Sequence, residues 1–323
     1  KVIPIFFTFD KNYVLPAAVA FQSLLDNGCS SYQYNLHVLT LDNIPSKEKR
    51  KLKNVVDGYP NANLTFRNVE RSFDEKWSDV NQAHYSKDIF NKLIPTNIFT
   101  EYDWIVCSDV DVVFEGDISD IISFNFLEYC LSGVKSIKEV DQYIERAYDD
   151  EFIKEAAKKG VGGGFLVYNL RKIRDRGMEK NILNNLNEYS KELVQPEQDV
   201  LNITFKNDKG HLPLRFTSCT YIYSTIREGS FDTLTSGNWW YYMKEKHFSE
   251  IESGKNWSAT QISEALRNPV QIHYAGGMKP WNTLLCYKKI VWLRYLSKTE
   301  YFLEHLVNNE PKNIYRYAKK TLK

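Results

Sequence analysis

Apolar and polar positions along the first half of the chain predict strands and helices in turn. Val2–Phe9 is an almost unbroken apolar run, typical of a strand buried on both faces of a parallel sheet. Residues 15–25 follow with apolar side chains at helical spacing, and Leu36–Leu41 predicts a second strand. A charged helix is predicted over residues 45–56, because its proline falls in the first turn, where proline is tolerated.

The same alternation continues to residue 107. A third strand is predicted at Leu64–Val69, a helix at Asp88–Phe99 and a fourth strand at Trp104–Cys107. Repeated units of this length predict an α/β fold with a mainly parallel central sheet and helices on both faces. Ligands of such sheets bind beyond the carboxyl ends of the strands, so the residues that follow each strand are candidates for function.

The second half is less regular. Residues 217–257 are rich in Tyr, Trp, Ser and Gly without periodicity, and we expect them to form loops and short strands. The other predicted elements are a long charged helix at Glu139–Lys159, a glycine turn at Gly160–Gly164, a strand at Phe165–Asn169, a short helix at Pro196–Phe205 and a helix at Leu284–Leu306.

Composition narrows the class of protein. The 323 residues carry 42 Lys+Arg and 41 Asp+Glu, a net charge of +1, which argues against a nucleic-acid binder. Five scattered cysteines form no CxxC pair, and no targeting or membrane-spanning segment stands out, so we expect a reduced, cytoplasmic protein. We divide the chain into a domain over residues 1–282 and a basic, aromatic, helical extension over residues 283–323.

Two carboxylates stand directly after the fourth predicted strand. Asp109 and Asp111 are two residues apart, so on an extended backbone both point to the same face. Such a pair can hold Mg²⁺ or Mn²⁺ and leave coordination positions for phosphate oxygens. An EF-hand loop is excluded, because the sixth position is Phe114 rather than Gly and the twelfth is Asp120 rather than Glu. A solvated turn is the alternative interpretation.

A second candidate is the loop His273–Trp281, which follows the strand-like residues 270–272. His273 can serve as a metal ligand, and Lys279 can supply a positive charge for a phosphate. Gly276 and its neighbour allow the backbone to approach a ligand closely. A glycine turn beside an uninvolved histidine remains the alternative.

Four segments, taken together, carry a family likeness: Phe7-Thr8-Phe9-Asp10-Lys11-Asn12-Tyr13, Asp109-Val110-Asp111, Gly162–Arg171 with Gln195–Asn202, and His273–Trp281. In these segments and in their order the chain resembles glycosyltransferase family 8, the retaining nucleotide-sugar transferases that include bacterial lipopolysaccharide galactosyl- and glucosyltransferases and glycogenin. The resemblance implies a Rossmann-like GT-A fold, a UDP-sugar donor and a Mn²⁺ cofactor, with Mg²⁺ as a second option.

The resemblance also assigns roles on the nucleotide side. It makes Asp109, Asp111 and His273 the metal ligands. Asp10 and Asn12 would hydrogen-bond the uracil and the ribose, and Tyr13 would stack on the uracil, with helix-entry packing as the alternative. In the same scheme Gly276 and Lys279 would contact the β-phosphate.

On the sugar side the resemblance assigns catalysis to Gln198 and Asp199, with Glu197 holding sugar hydroxyls. An amide is a poor nucleophile, so the family implies a front-side mechanism in which Gln198 stabilises an oxocarbenium-like state. The alternative is that Pro196 and Glu197 simply begin a helix, because proline and acidic residues both favour a helix N-terminus.

Three departures from the family pattern fall on the sugar side. Gly162 stands where many relatives have Asn. Its neighbours Gly163 and Gly164 are expected to contact the sugar. Lys92 lies near the position of a usual arginine, and Arg and Lys are not equivalent at bidentate sites. Lys135 stands roughly where the family often has Asp. These changes leave open whether the donor carries glucose or galactose.

The sequence therefore predicts a retaining hexosyltransferase that moves glucose or galactose from a UDP-sugar to a glycan or glycoconjugate acceptor. A glycogenin-like self-glucosylating protein and a non-catalytic nucleotide-sugar-binding protein remain alternatives. Residues 284–323 contain nine Lys/Arg and three Glu interleaved with aromatic residues. That pattern predicts peripheral contact with the inner face of the plasma membrane, with packing of the aromatics on the domain as the alternative.

Overall fold

The computed structural model describes residues 1–41, 44–69, 87–135, 140–220 and 256–321. Ten strands lie in these ranges. They are β1 Val2–Thr8, β2 Gln33–Thr40, β3 Ala62–Asn68, β4 Ile105–Ser108, β5 Val112–Phe114, β6 Leu131–Gly133, β7 Phe165–Tyr168, β8 Lys209–His211, β9 Ser218–Cys219 and β10 Gln271–His273.

Seven of these strands form the central sheet, in the order β3-β2-β1-β4-β7-β6-β8. Strand β1 pairs in parallel with β2 and β4, β2 with β3, and β6 with β8, whereas β7 runs antiparallel to both neighbours. The predicted α/β fold with a mainly parallel sheet is confirmed. The carboxyl ends of β1 and β4 share one edge of the sheet, and the antiparallel β7 begins at that edge.

The long apolar run of β1 is explained by burial on both faces. Ile3, Ile5 and Phe7 pack into a core on one face, together with the first helix. Phe6 points the other way, into a second core that includes Phe90. Because side chains of a strand alternate between its two faces, only a strand covered on both sides requires apolar residues at successive positions.

Helices cover both faces of the sheet. They are α1 Val14–Asp26, α2 Ser46–Asp57, α3 Pro95–Ile98, α4 Val140–Ala147, α5 Glu151–Lys158, α6 Leu170–Asp175, α7 Glu179–Tyr189, α8 Pro196–Thr204, α9 Ala259–Arg267, α10 Lys289–Leu296, α11 Phe302–Asn308 and α12 Glu310–Thr321.

Two predicted helices are divided in the structure. The helix predicted at 139–159 is two helices, α4 and α5, because the Asp150 carboxylate accepts a hydrogen bond from the Ile153 N–H and begins a new helix there. Residue 139 lies outside the described ranges. The helix predicted at 88–99 is a 3₁₀ turn followed by α3, because Pro95 disfavours the helical conformation of the residue before it. Most of 217–257 also lies outside the described ranges.

In the C-terminal extension, the helix predicted at 284–306 is divided into α10 and α11 by a non-helical stretch, and α12 follows beyond the predicted range. Trp292, Tyr295 and Tyr301 are buried in the same core as β1. The Tyr295 hydroxyl donates to Glu115 at 2.5 Å, and the Tyr301 hydroxyl donates to Glu48 at 2.6 Å. Among the described residues, no helix is both long enough and apolar enough to cross a bilayer.

Trp292 anchors this extension, so its truncation should destabilise the whole protein. Its side chain is 0% exposed, and its ring centroid lies 6.0 Å from that of Trp281. We expect Trp292→Ala to lower the free energy of unfolding by roughly 3–5 kcal/mol, measured by urea denaturation. Ile290→Ala is the matched control, because Ile290 lies on the same helix and is 61% exposed. Equal losses in both variants would contradict the anchoring role.

Candidate functional site

The three predicted metal ligands come together where the central sheet meets a second sheet of three strands, in the order β5-β10-β9. Asp109 directly follows β4, and its N–H donates to the Gly164 carbonyl at 3.2 Å. Asp111 directly precedes β5, and its carbonyl accepts the Tyr274 N–H at 2.9 Å. His273 ends β10, which pairs antiparallel with β5 so that His273 stands opposite Val112. Backbone hydrogen bonds therefore bring both aspartates to one imidazole.

The facing atoms of these side chains form a compact donor set. His273 Nε2 lies 3.2 Å from Asp111 Oδ1 and 3.5 Å from Asp109 Oδ2. One ligand atom from each residue falls within 4.8 Å of the other two. Two carboxylates supply the oxygen ligands that Mn²⁺ and Mg²⁺ prefer, and the imidazole adds a nitrogen ligand of the kind that transition-metal ions accept. The residues present therefore fit a divalent cation.

The outer oxygens of the two aspartates are paired with lysines. Lys92 Nζ lies 2.6 Å from Asp109 Oδ1, and Lys279 Nζ donates to Asp111 Oδ2. Each carboxylate thus gives one oxygen to a lysine and turns the other towards His273. These five side chains follow one another in space, and we call them the charge chain: Lys92, Asp109, His273, Asp111 and Lys279.

The charge chain shifts the pKa of three of its members. Burial alone would raise the pKa of Asp111, but His273 and Lys279 hold it well below its usual value. Burial would lower the pKa of His273, yet Asp111 raises it well above the ordinary range. Burial likewise opposes charge on Lys92, but Asp109 and Glu197 raise its pKa further than burial lowers it. Alternation of charge stabilises each ionised form.

Lys92 connects the aspartates to the predicted sugar side. Its Nζ also donates to the Gly163 carbonyl at 3.2 Å and lies 3.3 Å from Glu197 Oε1. The Tyr168 hydroxyl donates to the Lys92 carbonyl at 2.9 Å, which fixes the backbone. The other carboxylate oxygen of Glu197, Oε2, is buried and has no hydrogen-bond partner among the described residues.

The glycine segment before β7 lies against α8. The Gly163 N–H donates to Gln198 Oε1 at 2.8 Å. A Cβ at Gly164 would stand 2.6 Å from His273 Nδ1, so this glycine makes room for the imidazole. A Cβ at Gly162 would have its nearest neighbour, the Val134 carbonyl, at 3.8 Å, so that position is open.

Asp199 is engaged by its own loop. Its Oδ2 accepts the N–H groups of Val194 and Gln195 at 2.9 and 2.8 Å, and its Oδ1 accepts the Tyr148 hydroxyl at 2.8 Å. Burial raises its pKa to about 6, although these hydrogen bonds lower it. Its contacts order the turn that carries its neighbour Gln198 into the site.

The predicted nucleotide side lies at the end of β1. The Asp10 carboxylate accepts the Asn12 N–H at 2.8 Å and the Asn12 side-chain amide at 3.2 Å. The Tyr13 ring meets Trp281 edge-on, with centroids 5.9 Å apart. Partial burial raises the pKa of Tyr13, and Lys279 and Asp111 also act on its phenol, which places the ring near the charge chain.

The loop after β10 is shaped by one glycine and held by one lysine. Gly276 has a φ of +82°, a conformation that side chains with a Cβ rarely adopt. Lys279 donates to the Tyr274 carbonyl at 2.7 Å as well as to Asp111, so its ammonium is fixed at the charge chain.

Contacts of three residues were missed by the sequence analysis. Tyr148 holds Asp199, and nothing in the local sequence indicates it. Gln271, in β10, donates to the Ser108 hydroxyl at 2.7 Å and so ties β10 to the end of β4. Cys219 Sγ lies 3.9 Å from His273 Nδ1, on the side of the ring away from the aspartates.

Comparison with known proteins identifies the family and the fold. The model of glycosyl transferase family 8 matches residues 4–284. General stress protein A of Bacillus subtilis (strain 168) is 24% identical over 279 residues, 85% of each chain. Lipopolysaccharide 1,2-glucosyltransferase of Escherichia coli is 22% identical over 308 residues, 91% of this chain and 74% of that protein.

Two solved structures share the GT-A fold. The bifunctional glycosyltransferase WbbM superposes with a TM-score of 0.71 at 18% identity, covering 95% of this chain and 52% of that one. The galactosyltransferase LgtC, solved with donor and acceptor sugar analogues, superposes with a TM-score of 0.67 at 17% identity and covers 92% and 96%.

The space at Gly164 predicts a metal-affinity difference between two glycine variants. In Gly164→Ala the new methyl group must displace the His273 ring, so one ligand is lost and the affinity for Mn²⁺ should fall by roughly 10–100-fold. Gly162→Ala is the matched control, because its methyl group meets no close neighbour. Calorimetric titration with Mn²⁺ measures both. Unchanged affinity in Gly164→Ala would show that His273 is not a ligand.

Proposed function

The chain belongs to glycosyl transferase family 8, and from this premise we propose that it is a retaining hexosyltransferase. It moves glucose or galactose from a UDP-sugar to a hydroxyl of a glycan or glycoconjugate acceptor. The charge chain carries this proposal, because it sets a metal-ligand triad between two fixed lysines at the carboxyl ends of β1 and β4.

The residues on the nucleotide side bind UDP and hold the cation that faces its diphosphate. Asp10 and Asn12 hydrogen-bond the uracil and ribose, and Tyr13 stacks on the base. Asp109, Asp111 and His273 hold the cation, Mn²⁺ in preference to Mg²⁺. When bound, the cation supplies positive charge against the departing diphosphate. Gly276 lets the backbone approach the β-phosphate.

Lys279 is a second source of positive charge for the leaving group. Its ammonium is already fixed by Asp111 and the Tyr274 carbonyl, so it does not have to reorganise when negative charge develops on UDP. In the transfer step the bond from the anomeric carbon to the UDP oxygen breaks and a bond to the acceptor oxygen forms. The proton of the acceptor hydroxyl passes to the UDP oxygen.

Gln198 lies at the reacting face of the sugar. Its Oε1 is held by the Gly163 N–H, so its orientation is fixed before the sugar arrives. An amide in this position favours front-side attack over a double displacement through a carboxylate nucleophile. Asp199 acts through Gln198 as a positioning residue, because its own loop occupies one of its oxygens and the Tyr148 hydroxyl occupies the other.

Glu197 and Lys92 recognise the sugar hydroxyls together with Gly163 and Gly164. The buried Glu197 Oε2 has no partner among the described residues, so it is available to accept a hydrogen bond from a hydroxyl. Lys92 keeps the opposite oxygen of Glu197 engaged at 3.3 Å and thereby orients the free one.

Two alternatives differ from this proposal in what happens to the hexose. A self-glucosylating protein would gain hexose mass on itself when given UDP-glucose, which intact mass spectrometry detects. A non-catalytic binding protein would bind UDP-sugars without releasing UDP.

Release of UDP from a panel of UDP-sugars tests the enzymatic proposal. We expect release from UDP-glucose or UDP-galactose in the presence of Mn²⁺ and its loss in EDTA. Gln198→Ala should lower kcat by roughly 100-fold, because a fixed polar group at the developing charge is removed. Gln195→Ala is the control, because only the backbone of Gln195 contacts Asp199. Binding of UDP-sugars without release from any of them would favour the binding protein.

We further propose that the C-terminal helices contact an anionic membrane surface from the cytoplasmic side. Three aromatic residues of this segment, Trp292, Tyr295 and Tyr301, are buried, so the contact depends on other residues. Leu303 and Val307 lie one turn apart on α11 and are 73% and 72% exposed. They stand within a segment of local charge +6, a combination that suits an interfacial anchor.

Vesicle sedimentation tests this contact. Wild-type protein should bind vesicles that contain phosphatidylglycerol and release them in high salt, and Leu303→Ser with Val307→Ser should reduce binding about tenfold or more. Leu183→Ser is the control, because Leu183 is also exposed, at 40%, but lies on α7. Equal binding by all of these proteins would exclude α11 as an anchor.

A further inference from the structure

Three cationic or titratable side chains meet on the side of the site away from Lys279. Lys209 and His211 lie on β8, and Lys135 follows β6 by two residues. Strands β6 and β8 are parallel neighbours, with Gly133 paired to His211, so all three residues are close together. We call Lys135, Lys209 and His211 the cationic corner.

Lys209 is a buried cation without a carboxylate partner among the described residues. Its Nζ donates to the Asn202 carbonyl at 3.1 Å and to Asn202 Oδ1 at 3.0 Å. Burial, together with the positive charges of Lys135, Lys206 and Lys159, lowers its pKa to about 7. A buried ammonium that is held only by neutral groups attracts an anion.

The neighbouring charges do not neutralise this corner. Lys206 and Lys159 share one carboxylate, Glu155, at the protein surface. Lys135 makes no ion pair within the described part of the chain, and its backbone is fixed by the Trp257 indole N–H, which donates to its carbonyl at 3.2 Å. Partial desolvation lowers the pKa of His211 to about 4, and Lys135 and Lys209 repel its charged form.

The corner adjoins the sugar side of the site. The Gly162 N–H donates to the Val134 carbonyl at 2.9 Å, which places Lys135 one residue beyond this contact. A Cβ at Gly162 would stand 3.9 Å from Gln198 Oε1. Asn202 links the glycine segment to the corner. Its side-chain oxygen accepts the Val161 N–H at 2.9 Å, and its backbone carbonyl accepts a hydrogen bond from Lys209. The corner and Gln198 thus flank the same glycine segment.

We propose that the cationic corner binds an anionic group, a phosphate or a carboxylate, that the acceptor carries near the hydroxyl to be glycosylated. This inference rests on the proposed function. The diphosphate of the donor belongs to Lys279 and the aspartates, which lie across β7 from the corner. Lys135 and His211 contact the anion directly, and the buried Lys209 contributes positive charge from the protein interior.

Matched acceptors with and without phosphate test the proposal. UDP release is measured with the preferred UDP-hexose and either galactose or galactose 6-phosphate, and with glucose or glucose 6-phosphate, each corrected for the acceptor-free rate. Galacturonate distinguishes a carboxylate from a phosphate preference. Lys135→Gln and His211→Gln avoid the folding risk of altering the buried Lys209. The control is Lys180→Gln, because Lys180 is exposed and lies on α7.

Wild-type protein should prefer at least one anionic acceptor about tenfold over its neutral partner. Lys135→Gln should abolish that preference, and Lys180→Gln should keep it. Equal rates with neutral and anionic acceptors, or a preference that survives Lys135→Gln, would overturn the inference while leaving UDP release intact.

If no donor releases UDP, the proposed function itself fails, and binding decides the inference alone. Saturation-transfer NMR of the same sugars with the wild-type protein then supports the corner when only the anionic sugars bind and Lys135→Gln removes that binding. Equal binding of neutral and anionic sugars overturns it.

Discussion

The site depends on the alternation of charge through Lys92, Asp109, His273, Asp111 and Lys279. Two carboxylates two residues apart repel each other, and partial burial strengthens that repulsion. A cation stands at each end of the pair and an imidazole in the middle, so every carboxylate faces a positive group on both sides. The inner oxygens remain turned towards one point, where a divalent cation can bind without displacing either lysine.

Four segments of the chain hold these charged side chains in place. Strand β4 delivers Asp109, β10 delivers His273, the loop after β10 delivers Lys279 and the 3₁₀ turn before α3 delivers Lys92. Because β7 is antiparallel, its N-terminal glycine segment reaches the same edge as the carboxyl end of β4 and leaves space for the imidazole. The sugar side is therefore built onto the metal side through Lys92, which contacts both Asp109 and Glu197.

Local patterns predicted the parts of the structure that depend on nearby residues. The strand at 2–9 was predictable because its two-sided burial requires an apolar run, and Asp109 and Asp111 because they follow a buried strand. The three contacts of Lys92 could not be predicted, because its partners lie 17 to 105 residues away in the sequence and no local pattern indicates them. The break at Asp150 was missed because a single capping carboxylate outweighed the helical pattern on both sides. The residue type of Asp199 does not indicate whether its carboxylate binds the sugar or orders the loop. Its role depends on the hydrogen bond from Tyr148, which is distant in sequence.

The most direct test of the charge chain is anomalous diffraction from crystals grown with Mn²⁺ and UDP. We expect one manganese peak among Asp109 Oδ2, Asp111 Oδ1 and His273 Nε2, with Lys92 and Lys279 still bound to the outer oxygens. A manganese peak elsewhere, or one that displaces either lysine from its aspartate, would contradict the charge chain as the metal site.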